Sequence, residues 1–182
     1  MKGLLLYSSK YGSTERVSQW IAREIACSEV LLYKIHKDMD FIQQYNFYIL
    51  GTPIFIGKPA WEMTDFIRKN KLLLCAVPVF VFITSWAQAT VYRQECRRFL
   101  ELLQHYLEPC KPVMTVSLPG QLYMQQLSDK DRNIMQRLLR RIDGMSKTFH
   151  SDQMVFQDCT DQKQSEFFGR QIHFWLKKNL AQ

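Results

Sequence analysis

The residues with the clearest chemistry stand near the N-terminus. Ser8-Ser9-Lys10-Tyr11-Gly12-Ser13-Thr14-Glu15 follows a short apolar run, Gly3 to Ser8, and precedes a segment of helical spacing. A hydroxyl-rich turn between a strand and a helix is suited to an anion. Free N–H groups of the first helical turn point outward and the helix dipole favours negative charge. Gly12 lets the backbone approach closely, and Ser9, Ser13 and Thr14 supply hydroxyls. No lysine follows the glycine in the phosphate-loop spacing of nucleoside triphosphatases, and no G-x-G-x-x-G occurs, which disfavours triphosphates and dinucleotides. A single phosphate monoester fits best; a plain Ser/Thr-capped helix is the other reading.

The elements that must position this turn follow from hydrophobic spacing. Gly3–Ser8, Val30–Ile35, Phe47–Gly51, Val77–Ile83 and Val113–Leu118 read as strands, the third ended by Thr52-Pro53. Helices are expected over Ser13–Ala26 (Val17, Trp20, Ile21, Ile25 on one face), from Pro59 to about Lys69 (Trp61, Met63, Phe66, Ile67), and over Val91–Leu107 (Phe99, Leu102, Leu103, Tyr106). A weak turn lies around Asp40–Gln44. Strand and helix thus alternate five times, which predicts a parallel sheet with helices on both faces. Ligands of such sheets bind at the carboxyl ends of the strands, where the strand order switches direction.

The tail breaks the alternation. Ser128–Asp143 reads as a helix capped by Ser128, with Asp129 and Asp131 in its first turn and Gly144 as its stop. Met154–Phe156 is a short apolar island, and a last helix runs from about Gln162 to Leu180 with Phe167, Phe168, Ile172, Trp175 and Leu176 as its buried stripe. Residues 1–182 are expected to form one domain, with 118–157 as a helical excursion before the last helix.

Composition narrows the class. A chain of 182 residues suits one domain. With 47% apolar and 23% charged residues it is neither a disordered tail nor a fibre nor a disulfide mini-protein. Its longest apolar run, Leu72–Ile83, is too short to span a bilayer and reads as a buried strand. The N-terminal apolar stretch is too short for a signal peptide, so a cytoplasmic protein is expected. Five cysteines without a CxxC read as reduced thiols, and four histidines show no metal spacing. The net charge of +7 suits an anionic partner (nucleic acid, a membrane surface or a polyanionic small molecule) or simply a soluble surface. Nucleic acid is disfavoured because the aromatics fall on core faces rather than forming stacking platforms.

Three loops at the strand ends carry a family resemblance. Ser9-Lys10-Tyr11-Gly12-Ser13-Thr14-Glu15 resembles the (S/T)-x-T-G-x-T-E loop of the flavodoxin family, with Tyr11 where that family often has threonine. Gly51-Thr52-Pro53-Ile54-Phe55-Ile56-Gly57 resembles its G-x-P-x-aromatic loop, and Thr84-Ser85-Trp86-Ala87-Gln88 occupies the place of its third loop. The resemblance implies a flavodoxin-like α/β three-layer sandwich with a five-stranded parallel sheet and one FMN. It implies that Ser9 to Thr14 wrap the phosphate, with Lys10 pointing away. Pro53, Ile54, Phe55, Ile56 and Gly57 would flank the flavin ring, with Gly57 where the loop peptide reorients toward N5. Thr84, Ser85, Trp86 and Ala87 would cover the other face. Phe55 as a core aromatic, and Trp86 packed elsewhere, are the competing readings. No catalytic acid, base or metal ligand is implied.

Leu118–Met145, above all Asp131-Arg132-Asn133-Ile134-Met135-Gln136-Arg137-Leu138-Leu139, is similar to the helical insertion of flavodoxin-type protoporphyrinogen oxidases. That likeness implies a porphyrinogen substrate and a quinone acceptor, in haem biosynthesis. Read from the residues alone, the helix is amphipathic: Ile134, Met135, Leu138, Leu139, Ile142 and Met145 against six cations (Lys130, Arg132, Arg137, Arg140, Arg141, Lys147) and three acids (Asp129, Asp131, Asp143) over 128–147. Such a helix suits the inner face of a membrane, an anionic substrate, an acidic redox partner, or simple packing with solvated charges. An enzyme, an electron carrier and a flavin-free interaction module are thus the three functions expected. The basic charge favours the enzyme, because carrier flavodoxins are commonly acidic.

Overall fold

The computed structural model describes residues 1–36, 45–90, 92–143 and 157–180, with side chains to 137 in the third stretch and from 158 in the fourth. The strands β1 (Lys2–Tyr7), β2 (Glu29–Lys34), β3 (Phe47–Phe55), β5 (Val79–Ser85) and β6 (Met114–Pro119) form one parallel sheet in the order β2-β1-β3-β5-β6. The two-residue strand β4 (Lys58–Pro59) folds back on β3, and β7 (Gln121–Leu122) pairs with β8 (Gln157–Asp158) outside the sheet. The helices are α1 (Ser13–Arg23), α2 (Trp61–Lys69), α3 (Lys71–Cys75), α4 (Glu95–Leu107), α5 (Asp129–Asp143) and α6 (Gln162–Asn179).

Alternation of side chains along each strand builds two cores. Leu4, Leu6, Tyr48, Leu50, Val79, Val81 and Ile83 meet Met63, Phe66, Ile67, Leu74, Leu103 and Leu107 of α2, α3 and α4. Leu5, Phe47, Ile49, Phe80 and Phe82 meet Val17, Ile21, Phe168, Ile172 and Leu176 of α1 and α6. Each such side chain contributes about 1.5–3 kcal/mol by leaving water, so the wholly buried β5 anchors the sheet. Gly3 and Gly51 make room in it: a Cβ at either would lie 2.1 Å from the ring of its register partner, Phe47 or Phe82.

Several expectations shift. β3 does not stop at Thr52-Pro53 but runs on to Phe55. Its pairing with β1 ends at Gly51, so Pro53, which lacks an N–H, faces an edge that no strand occupies. Pro59 lies in β4, not in a helix, and α2 starts at Trp61. The Leu72–Ile83 run divides at Pro78: Leu72, 89% exposed, sits on the short helix α3, and β5 begins at Val79. Helix α4 starts at Glu95 rather than Val91 and turns Cys96, Leu103 and Leu107 inward, leaving Tyr106 exposed. Trp61 and Phe167 are also exposed rather than part of their stripes. Cys75 and Cys110 are disulfide-bonded, contrary to the expectation of reduced thiols; Cys27, Cys96 and Cys159 are free. The end of α3 and the chain after α4 meet at the edge where β5 and β6 begin, which brings these two Cα atoms to 4.7 Å. The expected turn at 40–44, Gly144, Met145, Lys147 and the 154–156 island lie outside the described residues, as do the side chains of Leu138, Leu139, Arg140, Arg141, Ile142 and Asp143.

Candidate functional site

The loops after β1, β3, β5 and β6 emerge at the same edge of the sheet and enclose a cavity of about 650 Å³. That volume lies within the range of small-molecule sites. Its residues are built up loop by loop.

After β1, Gly12 adopts φ +88°, a left-handed conformation, and α1 starts at the next residue. A Cβ there would meet nothing within 4 Å, so the backbone angle rather than space calls for glycine. Ser9 Oγ accepts the Gly12 N–H at 3.1 Å and folds the loop on itself. No side chain caps α1, which leaves its first-turn N–H groups to an anion. Thr14, fully buried, is hydrogen-bonded through Oγ1 to Thr84 Oγ1 at 2.8 Å, so the start of α1 is fastened to the end of β5. Burial and the neighbouring Glu15 carboxylate together push the Tyr7 phenol above its ordinary value.

The second loop is a tight hairpin. Ile54 pairs with Pro59 and Phe55 with Lys58, leaving Ile56 (φ +52°) and Gly57 (φ +74°) as the two-residue turn. Two consecutive positive φ values match the right-handed twist of the flanking strands. Thr52 Oγ1 accepts the Ala60 N–H at 3.0 Å and holds the returning arm against β3. In the third loop Ser85 is buried and its Oγ accepts the Ala87 N–H at 3.2 Å, opening the single helical turn Trp86–Ala89.

The fourth wall comes from the insertion. Gly120 passes against the backbone of Ser85 and Trp86, where a Cβ would stand 3.2–3.4 Å from their atoms. Leu122, Met124 and Leu127 are buried together with Tyr11, Trp86 and Met135 packed on them. Arg132 donates to the carbonyls of Met124 and Leu127, both at 3.1 Å, and draws that turn onto the start of α5. Ser128 caps α5 as expected, accepting the Asp131 N–H at 3.2 Å. The Asp131 carboxylate is buried; it is ion-paired with Lys10 and accepts the Tyr11 O–H at 2.7 Å. The hydrogen bond from Lys10, outweighing burial, holds the Asp131 carboxyl below its ordinary value, and the same bond raises Lys10 above its own.

Of the residues singled out in sequence, Ser9, Lys10, Tyr11, Ser13, Thr14, Pro53, Ile54, Phe55, Thr84 and Trp86 line the cavity. Gly12, Ile56, Gly57, Ser85 and Ala87 do not; they shape the turns that carry the lining residues. Lys10 lines the cavity, and its nitrogen lies 5.3 Å and 5.2 Å from the ring centres of Tyr11 and Phe55. Sequence reading missed His36 after β2, Trp61 at the start of α2, and Gln121, Leu122, Tyr123, Leu127 and Met135 of the insertion. For His36, Trp61 and Gln121 to Tyr123 the signal is their place at or just beyond strand ends at this edge; Leu127 and Met135 come from farther along the insertion. Chemically the cavity offers amide and hydroxyl donors at one end and aromatic and aliphatic walls elsewhere. No cluster of three metal-ligating side chains occurs among the described residues.

Comparison with known proteins gives this architecture a family. The family described as Flavodoxin domain matches residues 4–148. A flavodoxin of Clostridium saccharobutylicum is 35% identical over 74 residues, 38% of this chain and 46% of its own length, so the chain spans less than half of that curated relative. Among solved structures, a Lactobacillus acidophilus flavoprotein in complex with FMN aligns at a TM-score of 0.50 and 20% identity over 64% of this chain and 92% of its own. The rubredoxin:oxygen oxidoreductase of Desulfovibrio gigas aligns at 0.60 and 15% identity over 100% of this chain and 37% of its own. A WrbA-like flavodoxin of Agrobacterium tumefaciens aligns at 0.53 and 14% identity over 97% and 98%. These distant likenesses show a shared fold, and the match over residues 4–148 shows more: the chain belongs to the flavodoxin domain family.

Proposed function

We propose that the protein binds one FMN in the cavity at the sheet edge and serves as a flavodoxin-type electron-transfer protein. One observation carries this reading. The uncapped N-terminus of α1, with Ser9, Ser13 and Thr14, opens into the same cavity as the aromatic side chains of the second and third loops. A phosphate end and a flat apolar end in one cavity match the two ends of FMN. Ser9, Ser13 and the first-turn amides would hold the phosphate, and Tyr11, Phe55 and Trp86 would flank the ring and exclude water from it. When bound, FMN supplies the one- or two-electron chemistry; the chain supplies position and polarity. Titration of the colourless protein with FMN tests the reading: a bound flavin spectrum and quenched flavin fluorescence are expected, and a protein that leaves FMN free overturns it.

A second reading is an enzyme acting on an apolar substrate, with a porphyrinogen as donor and a quinone as acceptor. It is favoured by the wall that the insertion gives the cavity, Leu122, Tyr123, Leu127 and Met135. The basic side chains Lys130, Arg132 and Arg137 stand on the same insertion, suited to a carboxylated substrate or an anionic membrane surface. Anaerobic incubation with a porphyrinogen, with and without quinone, separates the readings: substrate-dependent bleaching of the flavin is the enzyme's signature, and a flavin that stays oxidised leaves the carrier.

A further inference from the structure

The insertion is bonded to the phosphate loop at several points. Asp131 receives Lys10 and the Tyr11 O–H, residues 121 and 120 positions away in the chain. Gln121 Nε2 donates to the Tyr11 carbonyl. Arg16, on α1, in turn binds Gln121 Oε1 at 2.9 Å and the Asp158 carboxylate at 2.7 Å, tying both strands of the β7–β8 pair to the helix that the loop opens. The loop is therefore fixed at a side chain, a backbone carbonyl and the helix behind it.

We propose that Asp131 is a positioning residue for the cofactor phosphate: by holding Lys10 and Tyr11 it presets the Ser9–Thr14 loop for a phosphate monoester. The inference rests on the FMN reading above and assigns the insertion a role in it. The physical grounds are two. Ordering a free loop costs backbone entropy at every residue it fixes, and a partner that has already ordered it strengthens whatever the loop binds. Asp131 is also a buried carboxylate, and such a group holds its partners firmly because losing them strands a charge out of water. The Lys10–Asp131 pair is neutral as a unit. The phosphate would then meet neutral donors and the positive end of α1, with the side chains of Lys10 and Tyr11 held on Asp131.

A single Asp131→Asn change would free the Lys10 cation and mix two effects. The charge-conserving double variant Lys10→Gln/Asp131→Asn removes the ion pair while leaving the local charge at zero. Affinity is read by fluorescence quenching for FMN and for riboflavin, which shares the ring and lacks the phosphate. The double variant is expected to lower the ratio of FMN to riboflavin affinity about tenfold. Tyr11→Phe, which keeps the ring and removes one oxygen, keeps the test if the double variant does not fold; it is expected to lower that ratio about threefold. Unchanged FMN affinity, or equal weakening for both flavins, would overturn the proposal and leave the FMN reading standing. An unaltered protein that binds no FMN overturns both.

Discussion

Two side-chain contacts decide how firmly the phosphate loop sits. Thr14 and Thr84 are both buried and hydrogen-bonded to each other at 2.8 Å, joining the first loop to the third. Thr14→Val keeps the shape and leaves the Thr84 hydroxyl without that partner, so a loss of about 1–2 kcal/mol is expected in denaturant unfolding. An unfolding midpoint at the wild-type denaturant concentration would show that the bond carries no weight. The Lys10–Asp131 pair makes a pH prediction. Asp131 is held below its ordinary value of 3.8 by the hydrogen bond from Lys10, so it contributes stability above that value and loses it as pH falls through its lower, folded value. Lys10 is raised above 10.5 by the same bond, so its contribution is present below 10.5 and is lost as pH rises through its higher, folded value. The pair is therefore intact across the neutral range. A carboxyl NMR titration of Asp131 should give a midpoint below 3.8; a midpoint at or above it would mean that the pair does not form.

The elements explain why some of this was legible beforehand and some was not. The alternation of apolar strands and amphipathic helices is a local signal, and the five parallel strands and the start of α1 at Ser13 follow from it. The hairpin was hidden because Pro53 and Pro59 usually mark a strand end and a helix start. Only the three-dimensional fact that β1 ends at Tyr7, opposite Gly51, lets β3 carry a proline onward. The phosphate loop, Phe55 and Trp86 were readable because their residue types sit beside strand ends. Asp131 was not: its acidic type was already accounted for by its place in a helix first turn, and its partners are about 120 residues away. The hairpin makes its own prediction. Ile56 is β-branched and holds φ +52°, a conformation that suits Asn or Gly. With its side chain 40% exposed, Ile56→Asn should stabilise the fold by up to about 1 kcal/mol. Thermal unfolding checks it, and a lowered Tm would show that the exposed isoleucine packs usefully.

At the scale of the molecule, a sheet with helices on both faces leaves its carboxyl edge as the place where four loops converge, and the insertion closes that edge with apolar wall and basic surface. In the sequence, six cations and three acids lie within 128–147, so that stretch carries +3 of the net +7. No helix among the described residues is long and apolar enough to cross a membrane. The carrier and enzyme readings both depend on one property of the whole chain, that the cavity takes FMN. Equilibrium titration with FMN, followed by visible absorbance and flavin fluorescence, measures it directly. The account predicts saturable binding of one FMN per chain, weakened by the neutral Lys10→Gln/Asp131→Asn pair; a chain that leaves FMN free at every concentration would contradict it.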